Sequence, residues 1–152
     1  MDSSQDIKMQ IDSDITSNFN DQQLTVDDFI TLKVIGRGSY GKVLLVKKKD
    51  TNEVLAMKIL KKKEMIIRNQ VLHIKTERKV MEIVNHPFII KLEYAFQNRH
   101  KLYLLTKFCP GGELFFHIQK IHRFNEEATK FYAAQIILAI EALHQKDIIY
   151  RE

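Results

Sequence analysis

Cysteine, tryptophan, proline and long hydrophobic runs are scarce or absent in this chain of 152 residues. Its one cysteine, Cys109, excludes a disulfide framework and most metal sites, and it fits a reducing compartment. We therefore expect a cytoplasmic protein, with the nucleus as the other candidate compartment. The longest unbroken aliphatic stretch is Ile136–Ile140, which is far too short for a transmembrane helix. The first residues, Met1–Ser4, lack the basic and then apolar order of a secretory signal.

The net charge of +5 combines two segments of opposite sign. Residues 1–28 contain seven aspartates against one lysine, and their polar composition predicts a disordered acidic tail. The remaining residues are basic and include two lysine runs, Lys47–Lys49 and Lys61–Lys63. Because no base-stacking aromatic residues are interleaved with these runs, we expect solvated turns there and no nucleic-acid binding.

Three of the five glycines, Gly36, Gly38 and Gly41, fall within six positions. The residues on either side predict one strand over Phe29–Ile35 and another over Lys42–Val46, so the glycines join a strand to a strand. A dinucleotide-binding GxGxxG leads instead into a helix whose N-terminus holds the pyrophosphate. A GxGxxGxV pattern within a hairpin is typical of a loop that covers nucleotide phosphates. An ordinary glycine-bearing hairpin turn is the alternative.

Two charged residues interrupt apolar patterns further along the chain. A third strand, predicted over Glu53–Leu60, has Lys58 among apolar neighbours, which is unfavourable unless the ammonium group meets an anion. A helix predicted over about Leu72–Val84 carries Glu77 within its apolar stripe. We expect Lys58 and Glu77 to form an ion pair, and loss of one partner of such a buried pair costs roughly 3–5 kcal/mol. The alternative is that each charge reaches solvent at the edge of its own element.

Further short motifs follow in order along the chain. They are Asn-His-Pro-Phe-Ile at 85–89, Tyr-Ala-Phe-Gln at 94–97, Lys-Leu-Tyr-Leu at 101–104, Gly-Gly-Glu-Leu-Phe at 111–115 and Phe-Tyr-Ala-Ala-Gln at 131–135. With the glycine motif and Ala56-Met57-Lys58, this series resembles the serine/threonine protein kinases of the AGC group, in particular the ribosomal S6 kinase, Akt and SGK-like branches. The resemblance runs without interruption from about Asp28 to Arg151.

The resemblance implies an α+β fold. After the acidic tail at 1–28, a kinase N-lobe would occupy residues 29–106, with an antiparallel five-stranded sheet and one key helix. A hinge would follow at 107–112. Residues 113–152 would form two helices at the beginning of a truncated C-lobe.

The resemblance also implies an ATP site beneath the glycine motif. Lys58 would contact the α- and β-phosphates, and Glu77 would hold Lys58 in place. Val43 and Ala56 would enclose the adenine ring, Thr106 would be the gatekeeper, and Glu113 would bind the ribose. Backbone groups of Lys107 and Cys109 would bind adenine, although the family usually has an acidic residue where Lys107 stands. The complete implied set is Ile35, Gly36, Arg37, Gly38, Ser39, Tyr40, Gly41, Val43, Ala56, Lys58, Thr106, Lys107, Cys109 and Glu113.

A regulatory pocket for a C-terminal hydrophobic-motif peptide is a second implication. It would be formed by Lys62, Ile66, Ile74, Gln97 and Leu102. A surface helix that only packs on a strand would show the same residues. Met81 and Leu92 match two members of the family's hydrophobic spine, but plain core residues would look the same.

The last residues match the opening of the family's catalytic loop, with Glu152 at the position of the catalytic aspartate. ATP and Mg²⁺ are the implied cofactors, but the metal ligands and the activation loop belong to segments that this chain does not contain. We therefore expect no phosphoryl transfer by this chain alone. The helix predicted over Asn125–Leu143 is apolar on nearly all sides, so we also expect an exposed apolar patch and poor solubility.

Three functions remain open from the sequence. The first is the ATP-binding portion of a serine/threonine kinase that acts on proteins and, in the intact parent, binds a protein substrate and the hydrophobic-motif peptide. The second is a non-catalytic, pseudokinase-like module that binds a nucleotide or a partner. The third is a dinucleotide or P-loop protein, which the strand–loop–strand context and the absence of G-x-x-x-x-G-K-[ST] disfavour.

Overall fold

A computed structural model describes residues 24–38 and 41–151. Within these residues a 3₁₀ turn at Val26–Asp28 precedes five strands and four helices. Their bounds are β1 Phe29–Gly38, β2 Gly41–Lys48, β3 Val54–Lys61, α1 Lys62–Ile67, α2 Val71–Ile83, β4 Leu92–Gln97, β5 Lys101–Lys107, α3 Leu114–Ile121 and α4 Glu126–His144. The predicted α+β class and the five-stranded antiparallel sheet are confirmed. Most of the predicted acidic tail, residues 1–23, lies outside the described residues.

The strands form one antiparallel sheet in the order β1-β2-β3-β5-β4. After β3 the chain passes through α1 and α2 to the edge strand β4 and then returns to β5 beside β3. The central strand β3 therefore has a hydrogen-bonded neighbour on each side. Lys58 lies on it, directly opposite Val43 of β2 and Leu104 of β5.

Strict alternation on β3 divides the apolar core into two clusters, one on each face of the sheet. Leu55, Met57 and Ile59 are buried on one face with Leu105 of β5. Leu60 is buried on the other face, in a cluster that also contains residues of α1, α2, β4 and β5. Because Lys58 and Leu60 are two positions apart, Lys58 lies on the face that α2 covers.

Aromatic side chains complete the cluster that contains Leu55, Met57 and Ile59. Phe29 of β1 stacks on Phe96 of β4 with ring centroids 5.8 Å apart, and Phe96 stacks on Tyr103 at 4.7 Å. β1 and β4 are the two edge strands, so this contact requires the sheet to curl until its edges approach each other. A curled sheet covers its own apolar face and needs no second helical layer there.

Several predicted boundaries differ from the structure. The helix expected at Leu72–Val84 is α2, and that expected at Asn125–Leu143 is α4, whose N-cap Asn125 accepts a hydrogen bond from the Ala128 N–H at 2.8 Å. The short helix α1 was not predicted. β1 does not end at Ile35 but continues through Gly36 to Gly38, because the ladder with β2 persists to the pair Gly38–Gly41.

The prediction that both lysine runs form solvated turns is wrong. Lys48 ends β2 and Lys62 begins α1, and these two side chains are buried. Alternation along β2 places Lys48 on the same buried face as Leu44 and Val46. The Lys48 ammonium group donates a hydrogen bond to Asp50, so its aliphatic stem covers apolar surface while the charge is neutralised.

The helices α3 and α4 carry large apolar side chains on their exposed surfaces. Phe115, Phe116, Phe131 and Ile137 are each more than 60% exposed. The apolar patch expected on the last long helix is therefore present in the described residues. No helix among residues 24–38 and 41–151 has the length and hydropathy that a membrane span requires.

Candidate functional site

An ion pair between β3 and α2 is the centre of the candidate site. Lys58 Nζ donates to both carboxylate oxygens of Glu77, at 2.6 Å to Oε1 and 2.9 Å to Oε2. The two side chains are 33% and 32% exposed. The sequence led us to expect a buried pair, but this pair is half-buried. The free energy at stake consequently lies between that of a surface pair, about 0–1 kcal/mol, and that of a buried one, roughly 3–5 kcal/mol.

Packing of α2 on the sheet directs Glu77 toward Lys58. Ile74 and Val84 are both 1% exposed, and Glu77 and Met81 lie between them on the same helix face, half-buried. Since the apolar members of this stripe are held in the core, the carboxylate among them must also face the sheet. The pairing thus depends on docking of the whole helix.

Residues next to Lys58 on the sheet form a half-buried strip. Val43 lies opposite Lys58, Ala56 precedes Lys58 by two positions, and Thr106 lies opposite Ala56. Two-residue alternation places these four side chains on one face of the sheet. A flat aromatic ring fits against such a strip of small and β-branched side chains, beside the ammonium group of Lys58.

The three glycines of the motif meet different surroundings. A Cβ at Gly41 would lie 2.0 Å from the Ile59 carbonyl oxygen, so close approach of β3 requires glycine there. At Gly38 a Cβ would meet nothing within 4 Å, and at Gly36 it would make only ordinary contact with Val43. Packing within the described residues therefore does not require glycine at Gly36 or Gly38. Gly38, the last residue of β1, is exposed, and no Cβ covers the backbone there.

Several other residues of the implied ATP site are exposed or lie outside the described residues. Ile35 and Arg37 are exposed on β1, and Lys107 is exposed at the end of β5. Ser39 and Tyr40 lie outside the described residues.

The segment after β5 turns sharply toward α3. Cys109 is exposed in it, and Gly112 has a φ of 72°, a left-handed conformation that favours glycine. His117 of α3 makes a 2.6 Å hydrogen bond through Nε2 with the Gly111 carbonyl oxygen. Glu113 is the N-cap residue of α3, but its exposed side chain makes no capping hydrogen bond. The contact between His117 and Gly111 was missed in the sequence because no periodic signal marks it.

The residues predicted to form the regulatory pocket are largely buried. Ile66, Ile74 and Leu102 belong to one apolar cluster, and Leu102 lies opposite Gln97 in the β4–β5 ladder. However, Ile74 and Leu102 are each 1% exposed, and Lys62 is buried as well. The Gln97 Oε1 atom is buried and has no hydrogen-bond partner within the described part of the chain. Met81 and Leu92 contribute to the same cluster.

No metal-binding group is formed within the described ranges. Nowhere in residues 24–38 and 41–151 do three His, Cys, Asp or Glu side chains come together as metal ligands. Glu152, which the resemblance places at the position of the catalytic aspartate, lies outside the described residues. A shallow depression on α4, lined by Ile137, Ile140, Glu141, His144 and Gln145, shares no residue with the ion pair.

Comparisons of the sequence with known proteins identify its relatives. Residues 29–152 match the sequence model of the protein kinase domain. Protein kinase 2 of Dictyostelium discoideum is 50% identical over 133 residues, which are 88% of this chain and 28% of that protein.

Two further relatives are similar over nearly the same length. The RAC family serine/threonine-protein kinase homolog of Dictyostelium discoideum is 46% identical over 131 residues, 86% of this chain and 30% of that protein. Serine/threonine-protein kinase akt-1 of Caenorhabditis elegans is 45% identical over 130 residues, 86% of this chain and 24% of that protein. The chain thus spans less than a third of each of these three relatives.

Proposed function

Because this chain belongs to the protein kinase family and resembles its AGC-type serine/threonine members, we propose that it is the ATP-binding portion of such an enzyme. The reaction would transfer the γ-phosphate of ATP to serine or threonine hydroxyls of proteins. The single observation that supports this proposal most strongly is the bidentate pairing of Lys58 with Glu77. In protein kinases this lysine–glutamate pair must be in place for the enzyme to act.

The geometry suggests a role for each part of the site. Glu77 holds the Lys58 ammonium group at one place, so that it can meet the α- and β-phosphates without reorganisation. Gly36 and Gly38 allow the backbone of β1 to approach phosphate oxygens because no Cβ intervenes. Val43 and Ala56 supply an apolar surface for adenine next to Lys58.

Residues 24–38 and 41–151 hold no group of three or more His, Cys, Asp or Glu side chains that could bind a metal ion. Mg²⁺ neutralises charge on the β- and γ-phosphates during kinase reactions, and Asp and Asn ligands normally hold it. We therefore propose that this chain by itself binds nucleotide but does not transfer phosphate. The predicted position of Glu152 at the place of the catalytic aspartate is tested by the same phosphoryl-transfer measurement.

Thermal unfolding with and without ATP tests nucleotide binding directly. A ligand at 100 times its dissociation constant stabilises a folded protein by about 2.7 kcal/mol. We expect ATP to raise the melting temperature of the unmodified chain and Lys58→Ala to abolish that increase. Lys130→Ala is the matched control, because Lys130 also pairs with a glutamate, Glu126, but on α4. An equal ATP effect in Lys58→Ala, or none in the unmodified chain, would contradict the proposal.

Incubation with labelled ATP, Mg²⁺ and a basic serine/threonine peptide tests the second part. We expect no phosphopeptide above background. Turnover that Lys58→Ala abolishes would show that the chain is catalytic and would overturn the proposed inactivity. Nucleotide binding without turnover is also what the pseudokinase-like alternative predicts, and only the intact parent protein separates these two functions.

The hydrophobic-motif peptide as a partner and the cellular compartment are also proposals. A hydrophobic-motif peptide would meet Ile66 and Gln97 first, and it would reach Ile74 and Leu102 only if α2 moved away from β5. A peptide-dependent change in the amide exchange of α2 would support this docking site. We propose the cytoplasm or the nucleus as the place of action, on the single exposed cysteine.

A further inference from the structure

The corner between α1 and α2 exposes two aliphatic side chains. Ile67 is 66% exposed and Leu72 is 77% exposed. The same two helices bury Met65 and Ile74 at 2% and 1%. Their core-facing positions are thus already used, and Ile67 and Leu72 protrude from the opposite side. This protrusion has no role in the site around Lys58.

A tight turn fixes the shape of the corner. The Asn69 N–H donates to the Ile66 carbonyl at 3.0 Å and the Gln70 N–H to the Met65 carbonyl at 2.8 Å. Asn69 has a φ of 52°, which reverses the chain between the helices. The two protruding side chains are therefore held by a hydrogen-bonded turn of defined conformation.

Cationic side chains lie along α1 and beside its start. Lys63 precedes Ile67 by four positions, so the two share the exposed face of α1. Arg68 follows Ile67 directly. The Lys62 N–H donates to the His100 carbonyl at 3.0 Å, which joins the β4–β5 turn to the start of α1. This junction places Arg99 and Lys101 beside the start of α1.

Two of these cations lie directly opposite each other. Lys61 and Lys101 are register partners in the β3–β5 ladder, and like charges in that position are destabilising. In the described part of the chain, the side chains of Lys61, Lys63 and Lys101 make no ion pair. Arg68 meets Glu64 at 3.8 Å. Arg68 therefore has a counter-charge within the fold, whereas the charges of Lys61, Lys63 and Lys101 have none among the described residues.

Cations around protruding aliphatic side chains match the chemistry of an anionic membrane surface. Lipid headgroups neutralise the cations, and the aliphatic side chains enter the boundary of the acyl region. A protein partner of helical type would need a groove to receive its side chains, whereas Ile67 and Leu72 project outward. We propose that this corner docks on an anionic lipid bilayer. The corner is defined by Lys61, Lys63, Ile67, Arg68, Leu72, Arg99 and Lys101.

Co-sedimentation of the full chain with lipid vesicles tests the proposal. We expect binding to vesicles that contain phosphatidylserine and not to vesicles of phosphatidylcholine alone. Each cation near an anionic surface contributes about fivefold to partitioning at modest ionic strength. The double variant Lys63→Glu with Lys101→Glu should therefore bind at least about 25-fold more weakly. Leu72→Ser alone should also weaken binding, and its exposed position makes misfolding an unsuitable explanation.

Two matched variants control for net charge and for exposed apolar surface elsewhere. Lys120→Glu with Lys146→Glu makes the same charge change at exposed positions outside the corner. Ile149→Ser removes an aliphatic side chain that is 75% exposed. Each control should retain at least about a fifth of the unmodified chain's binding constant for vesicles that contain phosphatidylserine.

Several outcomes would overturn the proposal. Loss of binding in the controls equal to that in the corner variants would show unspecific adsorption. Equal binding to phosphatidylcholine vesicles would show that the negative charge of the lipid does not contribute to binding. Binding to soluble polyglutamate with no binding to either vesicle would point to an acidic protein partner instead.

Discussion

The ammonium group of Lys48 lies 5.4 Å from the centroid of the Tyr94 ring, although Lys48 belongs to β2 and Tyr94 to β4. These strands are not neighbours in the sheet, so the contact exists only because the sheet curls. The hydrogen bond that Lys48 donates to Asp50 raises the pKa of Lys48 and outweighs the opposing effect of burial. The same bond lowers the pKa of the Asp50 carboxyl group. A charged lysine at this point therefore links β2, the following turn and the far edge of the sheet.

Replacement of Asp50 by asparagine should destabilise the fold in a pH-dependent way. Because the pKa of Asp50 is lower in the folded state than its ordinary value of 3.8, its contribution is present above that value and is lost as the pH falls through the folded one. The contribution of Lys48, whose pKa is raised above 10.5, persists until the pH exceeds that value. Urea unfolding of both proteins should show a difference near pH 7 that shrinks below about pH 4. A difference that stays constant down to pH 2 would contradict this explanation.

Loss of one partner of the Lys58–Glu77 pair should have an intermediate effect on stability. Each side chain is about a third exposed, so we expect Glu77→Gln to lower the free energy of unfolding by about 1–3 kcal/mol. A double-mutant cycle with Lys58→Met measures the coupling, which should exceed the few tenths of a kcal/mol typical of exposed helix pairs. Lys130 and Glu126 form such an exposed pair on α4 and serve as the reference cycle.

Alanine at Gly41 and at Gly38 should act differently. At Gly41 the new Cβ would lie 2.0 Å from a backbone oxygen of β3, so the strands must separate, at a cost of about 1–3 kcal/mol or more. At Gly38 the Cβ enters open space, and stability should change by less than about 0.5 kcal/mol. Denaturant melts decide the stability comparison. If ATP binds as proposed, Gly38→Ala should still weaken nucleotide-dependent stabilisation, since the Cβ covers the backbone there.

Truncation of neighbouring residues on β3 should cost different amounts of stability, because successive side chains lie on opposite faces of the strand. Leu55 is fully buried, and Leu55→Ala should cost about 2–5 kcal/mol. Its neighbour Val54 is 42% exposed, and Val54→Ala should cost under about 1 kcal/mol. Similar losses for both would mean that β3 is not held in the register found here.

The N-cap of α4 offers a local test of that helix. Asn125 accepts a hydrogen bond from the Ala128 N–H, and Asn125→Ala should lower stability by about 1 kcal/mol. Helicity by circular dichroism and the melting temperature would report the change. Gln145→Ala at the other end of the helix is the control, because Gln145 contributes its backbone and not its side chain to the cap.

The local patterns of the sequence were sufficient for most elements. Alternation in β3, the stripe of α2 and the apolar length of α4 depend only on neighbours along the chain, so they could be read without coordinates. The short helix α1 escaped because six residues that follow a strand directly leave no measurable period. The lysine runs were misinterpreted because the burial of Lys48 depends on Asp50 and on an aromatic ring from a distant strand.

The residues by themselves predicted three strands, two long helices and the need of Lys58 for a carboxylate. These predictions follow from periodicity and from the free energy of an unpaired charge, both of which are properties of the chain. The kinase family and the five-stranded sheet came instead from the resemblance of the ordered motifs, which the family match and the sheet topology confirm. Only the tertiary structure decided that the pair is half-buried, that Gly41 and not Gly38 is required by packing, and that Ile74 and Leu102 are buried. Each of these depends on how closely separate elements approach in space, which no local pattern encodes.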